Sequence, residues 1–258
     1  MTPSDDGADL RSMTREQQLA AIEEAGRRYY YTAEQEFDDR NKRMVIEEML
    51  PFLRPGPALE LGYTNDIWTR ALLERASHVT IIEAATNHIE RARKDFAGDP
   101  RVTVVQTLFE EFEPVDPFST VLMSGVIKHL PDDMGFLKRA RSWVAQDGVA
   151  IATTPNSRSF HRRLGAMMGI QTAPDQHNTR DREVFNVHLY DRYSWQALYR
   201  EAGYNVKLCR GVFFKPFSTQ QMIHLGQKYD IDAIMDGLRR MGEELQDYAW
   251  YLLLVAQP

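Results

Sequence analysis

The stretch Ala58-Leu-Glu-Leu-Gly-Tyr-Thr-Asn-Asp66 decides the fold. Ala58 to Leu61 make a short strand, and Gly62 follows at once, where the chain turns and a ligand can approach the backbone closely. The next apolar run, Val79-Thr-Ile-Ile82, is a second strand that ends in Glu83, 21 residues after Gly62. Between them Ile67–Arg75 reads as a helix. The alternation continues with a helix over His88–Phe96, strands at Val102–Val105 and Thr120–Met123, a helix at Met134–Val144 and a strand at Val149–Thr153. Strands alternating with helices of about 10–15 residues predict an α/β parallel sheet with helices on both faces.

Away from this centre the pattern changes. Upstream, Leu19, Ile22, Phe37, Met44, Val45, Met49 and Leu50 recur at helical spacing until Pro51 and the Arg54-Pro-Gly-Pro57 cluster stop them. Residues 1–12 predict a flexible tail and 13–55 an N-terminal helical lid. Downstream, 156–186 is polar and irregular, with one helical patch around Phe160–Met168. A helix at Tyr193–Ala202 closed by Gly203, a strand at Asn205–Phe214, two helices within 218–246 and a last strand at Tyr248–Ala256 complete the chain. The simplest organisation is one domain over 1–258. Residues 56–155 form its cofactor-binding half and 156–258 its acceptor-side half, with insertions after strands five and six.

Composition narrows the function. With 258 residues, 43% hydrophobic and 26% charged, the chain can bury a sizeable core and is too apolar for disorder. Lys plus Arg number 31 against 37 Asp plus Glu, a net charge of −6. The basic residues form no stripe, which disfavours nucleic acid as a partner. The single cysteine, Cys209, excludes an internal disulfide and a Cys-rich zinc site. The longest apolar run, Tyr248 to Ala256, is far short of a membrane span. The polar start has no signal-peptide pattern, so a soluble, cytoplasmic protein is expected.

In open α/β sheets ligands bind beyond the carboxyl ends of the strands, so the turns after each strand hold the candidate site. Gly62 followed by Glu83 fits two readings equally, an ordinary strand-to-helix turn or a nucleoside-binding arrangement in which the glycine admits the ligand and the carboxylate accepts from ribose hydroxyls. Tyr63, Thr64 and Asn65 stand where a pyrophosphate needs bare N–H groups. A dinucleotide is therefore disfavoured, and a nucleoside without phosphates remains.

Ala58–Gly62, Val79–Glu83, Val102–Glu110 and Val126-Ile-Lys-His-Leu130 together resemble the class I S-adenosylmethionine-dependent methyltransferases, closest to their small-molecule branch. The resemblance spans about residues 30–256. It departs in the first motif, which is reduced from Glu-x-Gly-x-Gly-x-Gly to Glu60-Leu-Gly62. It implies a Rossmann-like seven-stranded mixed sheet with the last strand antiparallel. It further implies S-adenosyl-L-methionine as cofactor, S-adenosyl-L-homocysteine as product and no metal. Glu60, Gly62 and Tyr63 would line the methionine end, Glu83 with Ala84 the ribose, and Leu108 and Phe109 the adenine. Ser124 and Gly125 would face the sulfonium, and Tyr29 would cover the cofactor. No Asn-Pro-Pro-Tyr-like tetrapeptide follows the fourth strand, where Met123-Ser-Gly-Val126 stands. That argues against nucleobase amines and for an oxygen or nitrogen of a small-molecule acceptor.

On the acceptor side His188 and His129 are the candidate bases. His188 forms a His-x-aromatic pair with Tyr190 that the resemblance directs into the substrate cavity, and it ranks slightly ahead. His129 either acts on the acceptor or pins its loop. Tyr30, Asn156, Phe214 and Lys215 complete the predicted acceptor wall, with Lys215 suited to a carboxylate or phosphate. His78 and His88 are expected at the surface. The chain is expected to act as a monomer or homodimer. Competing readings are a catalytically silent cofactor-binding or scaffold protein of the same fold, and an NAD-dependent oxidoreductase.

Overall fold

The structure, a computed structural model, describes residues 14–28 and 33–258. The tail predicted over 1–12, and Tyr29 and Tyr30, lie outside the described residues. Seven strands form one sheet: β1 (Gly56–Leu61), β2 (Ala76–Glu83), β3 (Val102–Gln106), β4 (Phe118–Ser124), β5 (Val144–Pro155), β6 (Asn205–Val212) and β7 (Tyr251–Gln257). Their spatial order is β3-β2-β1-β4-β5-β7-β6. The first five strands run parallel, and β7 pairs antiparallel with both β5 and β6. This is the Rossmann-like mixed sheet that the resemblance implies; the strand spacing alone predicts its parallel part.

Ten helices accompany it among the described residues: α1 (Arg15–Arg28), α2 (Ala33–Met49), α3 (Ile67–Leu72), α4 (Thr86–Asp95), α5 (Asp133–Ala140), α6 (Phe160–Met167), α7 (Thr179–Glu183), α8 (Arg192–Glu201), α9 (Thr219–Gly226) and α10 (Ile231–Glu244). Strand residues alternate between two buried layers, as a sheet covered on both faces requires. Leu59, Leu61, Val121, Met123, Ala150, Ala152, Leu252 and Leu254 meet α5 and α8 through Phe136, Leu137, Trp195 and Tyr199. Ala58, Leu122, Val149, Ile151, Leu253 and Val255 face Phe37, Val45, Ile46 and Met49 of α2, Trp68 of α3, Met222 of α9 and Met235 of α10. Thus α2 is part of the second core layer as well as of the predicted lid region.

Element boundaries moved where local packing intervened. The helix expected to reach Val144 ends at Ala140, and Arg141–Trp143 form a 3₁₀ turn that seats Trp143 edge-on against Phe112 and Phe136. Strand β5 therefore begins at Val144, with a bulge that Gly148 permits, since a Cβ there would meet three backbone carbonyl oxygens at 3.0 Å. Strand β6 stops at Val212 because Phe213 takes φ 64° and Gly242 of α10 packs against its backbone. The short α7 inside 156–186 has no apolar periodicity and was not foreseen from the sequence.

Candidate active site

Strand order reverses between β1 and β4, the position where a crevice opens in such sheets. A cavity of about 270 Å³ lies there, lined by the turns after β1, β2, β3 and β4 and by more distant segments. Its wall includes Glu60, Gly62, Tyr63, Glu83, Ala84, Leu108, Phe109, Ser124, Gly125 and His129 of the predicted site residues.

Gly62 leaves the strand at φ 78° and Gly125 at φ 68°, conformations that strain any residue with a Cβ. With Gly62 in this shape, the Tyr63 N–H donates to Glu83 Oε2 at 2.9 Å. Glu83 Oε1 accepts from Ala84 and Ala85 at 2.7 and 2.8 Å, and His88 Nδ1 stands 3.5 Å from Oε2. The buried carboxylate thus ties the turns after β1 and β2 together. A carboxylate has about four acceptor sites, and three are taken by backbone N–H groups.

The turn lacking the usual later glycines is stabilised by side chains instead. Tyr63 is buried, its hydroxyl donating to Asp95 at 2.7 Å and its ring edge-on to Phe96. Asn65 donates to both oxygens of Asp39, which also pairs with Lys42 at 3.0 Å. Lys42 and Trp68 reach the cavity wall. Glu60 alternates onto the α3 face of the sheet, where Thr69 donates to it at 2.6 Å. Burial there raises its pKa to about 8, against the hydrogen bond from Thr69 and the charge of Lys42.

The turn that carries Leu108 and Phe109 is held by Arg139, whose guanidinium donates to the carbonyls of Phe109 (2.7 Å) and Glu110 (2.5 Å). Ser124 shares a hydrogen bond with Thr153 at 3.0 Å. Across from these, His129 sits on a 3₁₀ turn (Ile127–His129) directly after β4. Its Nδ1 lies 3.1 Å from the carbonyl oxygen of Phe185, so Nδ1 carries the proton, because a carbonyl only accepts. Nε2 is then the bare nitrogen, with no hydrogen-bond partner among the described residues. Burial, with the charge of Lys128, drops the His129 pKa to about 3 against the Phe185 hydrogen bond, so the ring is neutral.

Helix α1 crosses the mouth, with Ala21 and Ile22 on the wall. Arg15 pairs with Glu111 at 2.5 Å near one end, and Glu23 accepts the Thr86 N–H at 2.6 Å near the other. Of the two insertions after β5 and β6, 156–186 supplies Val184 and Phe185 to the wall. The segment 216–246 does not line it, because α9 packs on α2 and α10 on β6.

Five predicted acceptor residues are not on the cavity wall. His188 spends Nε2 on the carbonyl of Leu130 at 3.0 Å, and Tyr190 donates to Asp133 at 2.5 Å while its ring packs on Trp195. Asn156 is fully buried and bonds the carbonyls of Asp247 and Ala249 at 3.0 and 2.8 Å, joining β5 to the start of β7. Phe214 packs against Phe160. The turn at Phe213 directs Lys215 inward, where it donates to Thr219 at 2.6 Å and lies 3.9 Å over the Trp250 ring. Conversely, Lys42, Trp68, Lys128 and Phe185 line the cavity and were not singled out from the sequence, and His88, expected at the surface, is instead turned to the cavity beside Glu83. For His88 a signal existed: it lies in the first turn of the helix that follows Glu83. Among the described residues no cluster of three His, Cys, Asp or Glu suits a metal ion, and no helix is long and apolar enough to cross a membrane.

Comparison with solved structures returns the same architecture. A complex of DhpI with SAM and HEP superposes with a TM-score of 0.60 at 17% identity, over 96% of this chain and 100% of that one. The N-methyltransferase NodS from Bradyrhizobium japonicum WM9, in complex with S-adenosyl-l-homocysteine, gives 0.59 at 12% identity, over 92% and 97%. An S-adenosylmethionine-dependent methyltransferase from Mesorhizobium loti gives 0.58 at 14% identity, over 84% and 98%. No curated protein matches in sequence. At these identities the structural likeness speaks for the fold alone, but the methyltransferase domain family itself matches residues 33–208, well over half of the chain. The chain belongs to the methyltransferase domain family.

Proposed function

We propose that this protein binds S-adenosyl-L-methionine in the switch-point cavity and methylates an oxygen or nitrogen of a small-molecule acceptor. One observation carries the reading. A single cavity joins a nucleoside-shaped wall (Gly62, Glu83, Leu108, Phe109) to a neutral imidazole, His129, whose bare nitrogen has no partner among the described residues. The residues present fit the cofactor. The left-handed Gly62 leaves the backbone uncovered, the carboxylate of Glu83 has one acceptor site left for a ribose hydroxyl, and Leu108 and Phe109 offer an apolar slot for a base. The volume of about 270 Å³ is near the lower end of ligand pockets, about 300 Å³. When bound, S-adenosylmethionine supplies an electrophilic methyl group.

The chain's own residues supply the rest. Glu83 and the neighbouring His88 would fix the ribose, and Lys42, beside the protonated Glu60, would face the amino-acid end. His129 would accept the acceptor's O–H or N–H through Nε2. With a pKa of about 3 it is a weak base, so orienting the acceptor is its larger contribution. Helix α1 and Phe185 narrow the opening and exclude water.

Calorimetry with S-adenosylmethionine and with NAD, followed by a methyl-transfer screen over hydroxyl, amine and guanidine acceptors, tests this reading. Binding of the first with release of S-adenosylhomocysteine is expected. Binding of NAD alone would make it an oxidoreductase. Cofactor binding with no transfer to any acceptor would make it a silent cofactor-binding protein.

A further inference from the structure

Phe185 reaches His129 from 56 residues away, and a buried clamp brings it there. Arg162 of α6 donates to the carbonyls of Pro174 and Gln176, both at 2.6 Å, and to Asp181 Oδ2 at 2.9 Å. Asp181, on α7, accepts in addition from the Asn178 N–H (3.0 Å) and the Asn186 side chain (2.8 Å). Its own carbonyl accepts the Asn186 N–H at 2.8 Å. Arg162 and Asp181 are 8% and 7% exposed, so this is a desolvated, fully bonded ion pair rather than a surface contact.

The chain between the clamp and the site has one strained residue. Phe185 adopts φ 55°, uncommon for a residue with a bulky side chain, and sits immediately before Asn186. Beyond it, the Val187 and His188 N–H groups donate to the Lys128 carbonyl at 2.8 and 3.0 Å. The segment 185–188 is therefore locked onto the turn that carries His129. The Phe185 carbonyl lands on Nδ1, the nitrogen that a free imidazole less often protonates.

We propose that Asp181 is a positioning residue: with Arg162 it holds Phe185 in its left-handed conformation, so that the Phe185 carbonyl fixes His129 as the Nδ1–H tautomer and presents bare Nε2 to the acceptor. This rests on the reading of His129 as the acceptor-facing group. It explains why an irregular insertion spends a buried ion pair, two asparagines and a strained residue on one carbonyl. An imidazole locked in the wrong tautomer offers the acceptor a donor where an acceptor is needed. Where the ring is the base, that error costs up to about 10⁴-fold in rate.

The experiment is long-range ¹H–¹⁵N NMR of the histidine-labelled full chain, with the His129 signals assigned from His129→Gln. Methyl-transfer kinetics and cofactor calorimetry run on the same samples. Wild type is expected to show protonated Nδ1 and bare Nε2. Asp181→Asn should move the signals toward the Nε2–H form and lower kcat by about tenfold or more, with the cofactor Kd unchanged. Should Asp181→Asn fail to fold, Phe185→Pro tests the same link with the clamp intact, because its ring locks φ near −65° and removes the left-handed turn. Phe185→Gly keeps φ 55° without strain and should retain the wild-type tautomer. An Nε2–H signature in wild type would overturn the proposal, as would unchanged tautomer and kcat in folded Asp181→Asn and Phe185→Pro. The NMR signature does not depend on turnover. If it responds as stated while wild type transfers no methyl group, the clamp stands and the functional reading falls.

Discussion

The two walls of the cavity are built in opposite ways. The wall from Gly62 to Gly125 is made of turns that directly follow strands, and its key bond, Tyr63 N–H to Glu83, links residues 20 apart. The wall around His129 is made by a segment that returns from residue 185, across 56 residues and through a buried ion pair. Strand ends place their turns automatically, because sheet register fixes where each strand stops. A returning loop is placed only by its own contacts. The first wall is therefore placed by topology and then tied by Glu83, whereas the second is placed by side-chain chemistry alone, and they should break differently.

Glu83→Ala tests the first wall and should show the largest effect. The substitution leaves the N–H groups of Tyr63, Ala84 and Ala85 without their acceptor in a buried site. At about 1–3 kcal/mol for each of the three unsatisfied groups, the loss is roughly 3–9 kcal/mol, comparable with the whole stability of a domain. Urea unfolding should show a sharply lower midpoint, and calorimetry no cofactor binding. A stable Glu83→Ala protein would mean that the turns hold themselves and that Glu83 serves the ligand alone.

His129 and His188 test the second wall as a pair. His129→Ala should lower kcat by about 10²-fold with little change in cofactor affinity, as expected for a group that meets the acceptor. His188→Asn should change kcat by less than about threefold, since its Nε2 is already committed to the Leu130 carbonyl. Because the His129 pKa is held near 3, the wild-type rate should show no acid limb from this ring between pH 5 and 9. Steady-state rates across that range decide the matter. A limb near pH 6.5 that vanishes in His129→Ala would show the ring to be solvated in the working enzyme.

How far each wall was legible in the sequence follows from the same contrast. Gly62, Glu83, Leu108, Phe109, Ser124 and Gly125 could be found because alternation of strand and helix gives the strand ends, and strand ends give the cavity. His188, Tyr190, Asn156, Phe214 and Lys215 carry the right chemistry but lie off the wall. Phe214 packs on Phe160, and the polar atoms of the other four are taken by Leu130, Asp133, Asp247, Ala249 and Thr219, contacts that span up to 93 residues for Asn156. No periodicity encodes such pairings. Phe185 acts through a backbone carbonyl, which has no residue-type signature at all.

Glu60 sharpens the comparison at smaller scale, since the first wall also buries a carboxyl group that stays protonated in the folded chain. Its folded pKa is about 8, against 4.5 for an ordinary glutamate. Between those values the folded chain keeps a proton that the unfolded chain releases. Stability should therefore be full below about pH 4.5 and fall as pH rises toward 8, by on the order of 1 kcal/mol per pH unit from this group. Glu60→Gln should remove that slope. Urea midpoints at pH 5, 6, 7 and 8 for both proteins measure it, and parallel slopes would mean that Glu60 is ionised in the folded state.

A small effect is also expected where the walls meet, under α1. Thr86 opens α4, and its preceding residue, Ala85, has no side chain to cap the helix. The cap comes from another element: Glu23 of α1 accepts the Thr86 N–H at 2.6 Å, and its negative charge sits favourably at a helix N-terminus. The same bond holds α1 across the cavity, with Ala21 and Ile22 beneath it. The bond is exposed, and a cap of this kind contributes about 0.5–2 kcal/mol, so α1 can release without unfolding the sheet. Glu23→Ala should therefore speed cofactor dissociation by roughly two- to fivefold in stopped-flow measurements, and leave kcat at saturating cofactor nearly unchanged. Glu23→Gln, which keeps an acceptor oxygen and loses the charge, should fall between the two. If Glu23→Ala dissociates at the wild-type rate, α1 is packing on the rim rather than a strap across it, and retention of the cofactor rests on the strand-end turns alone.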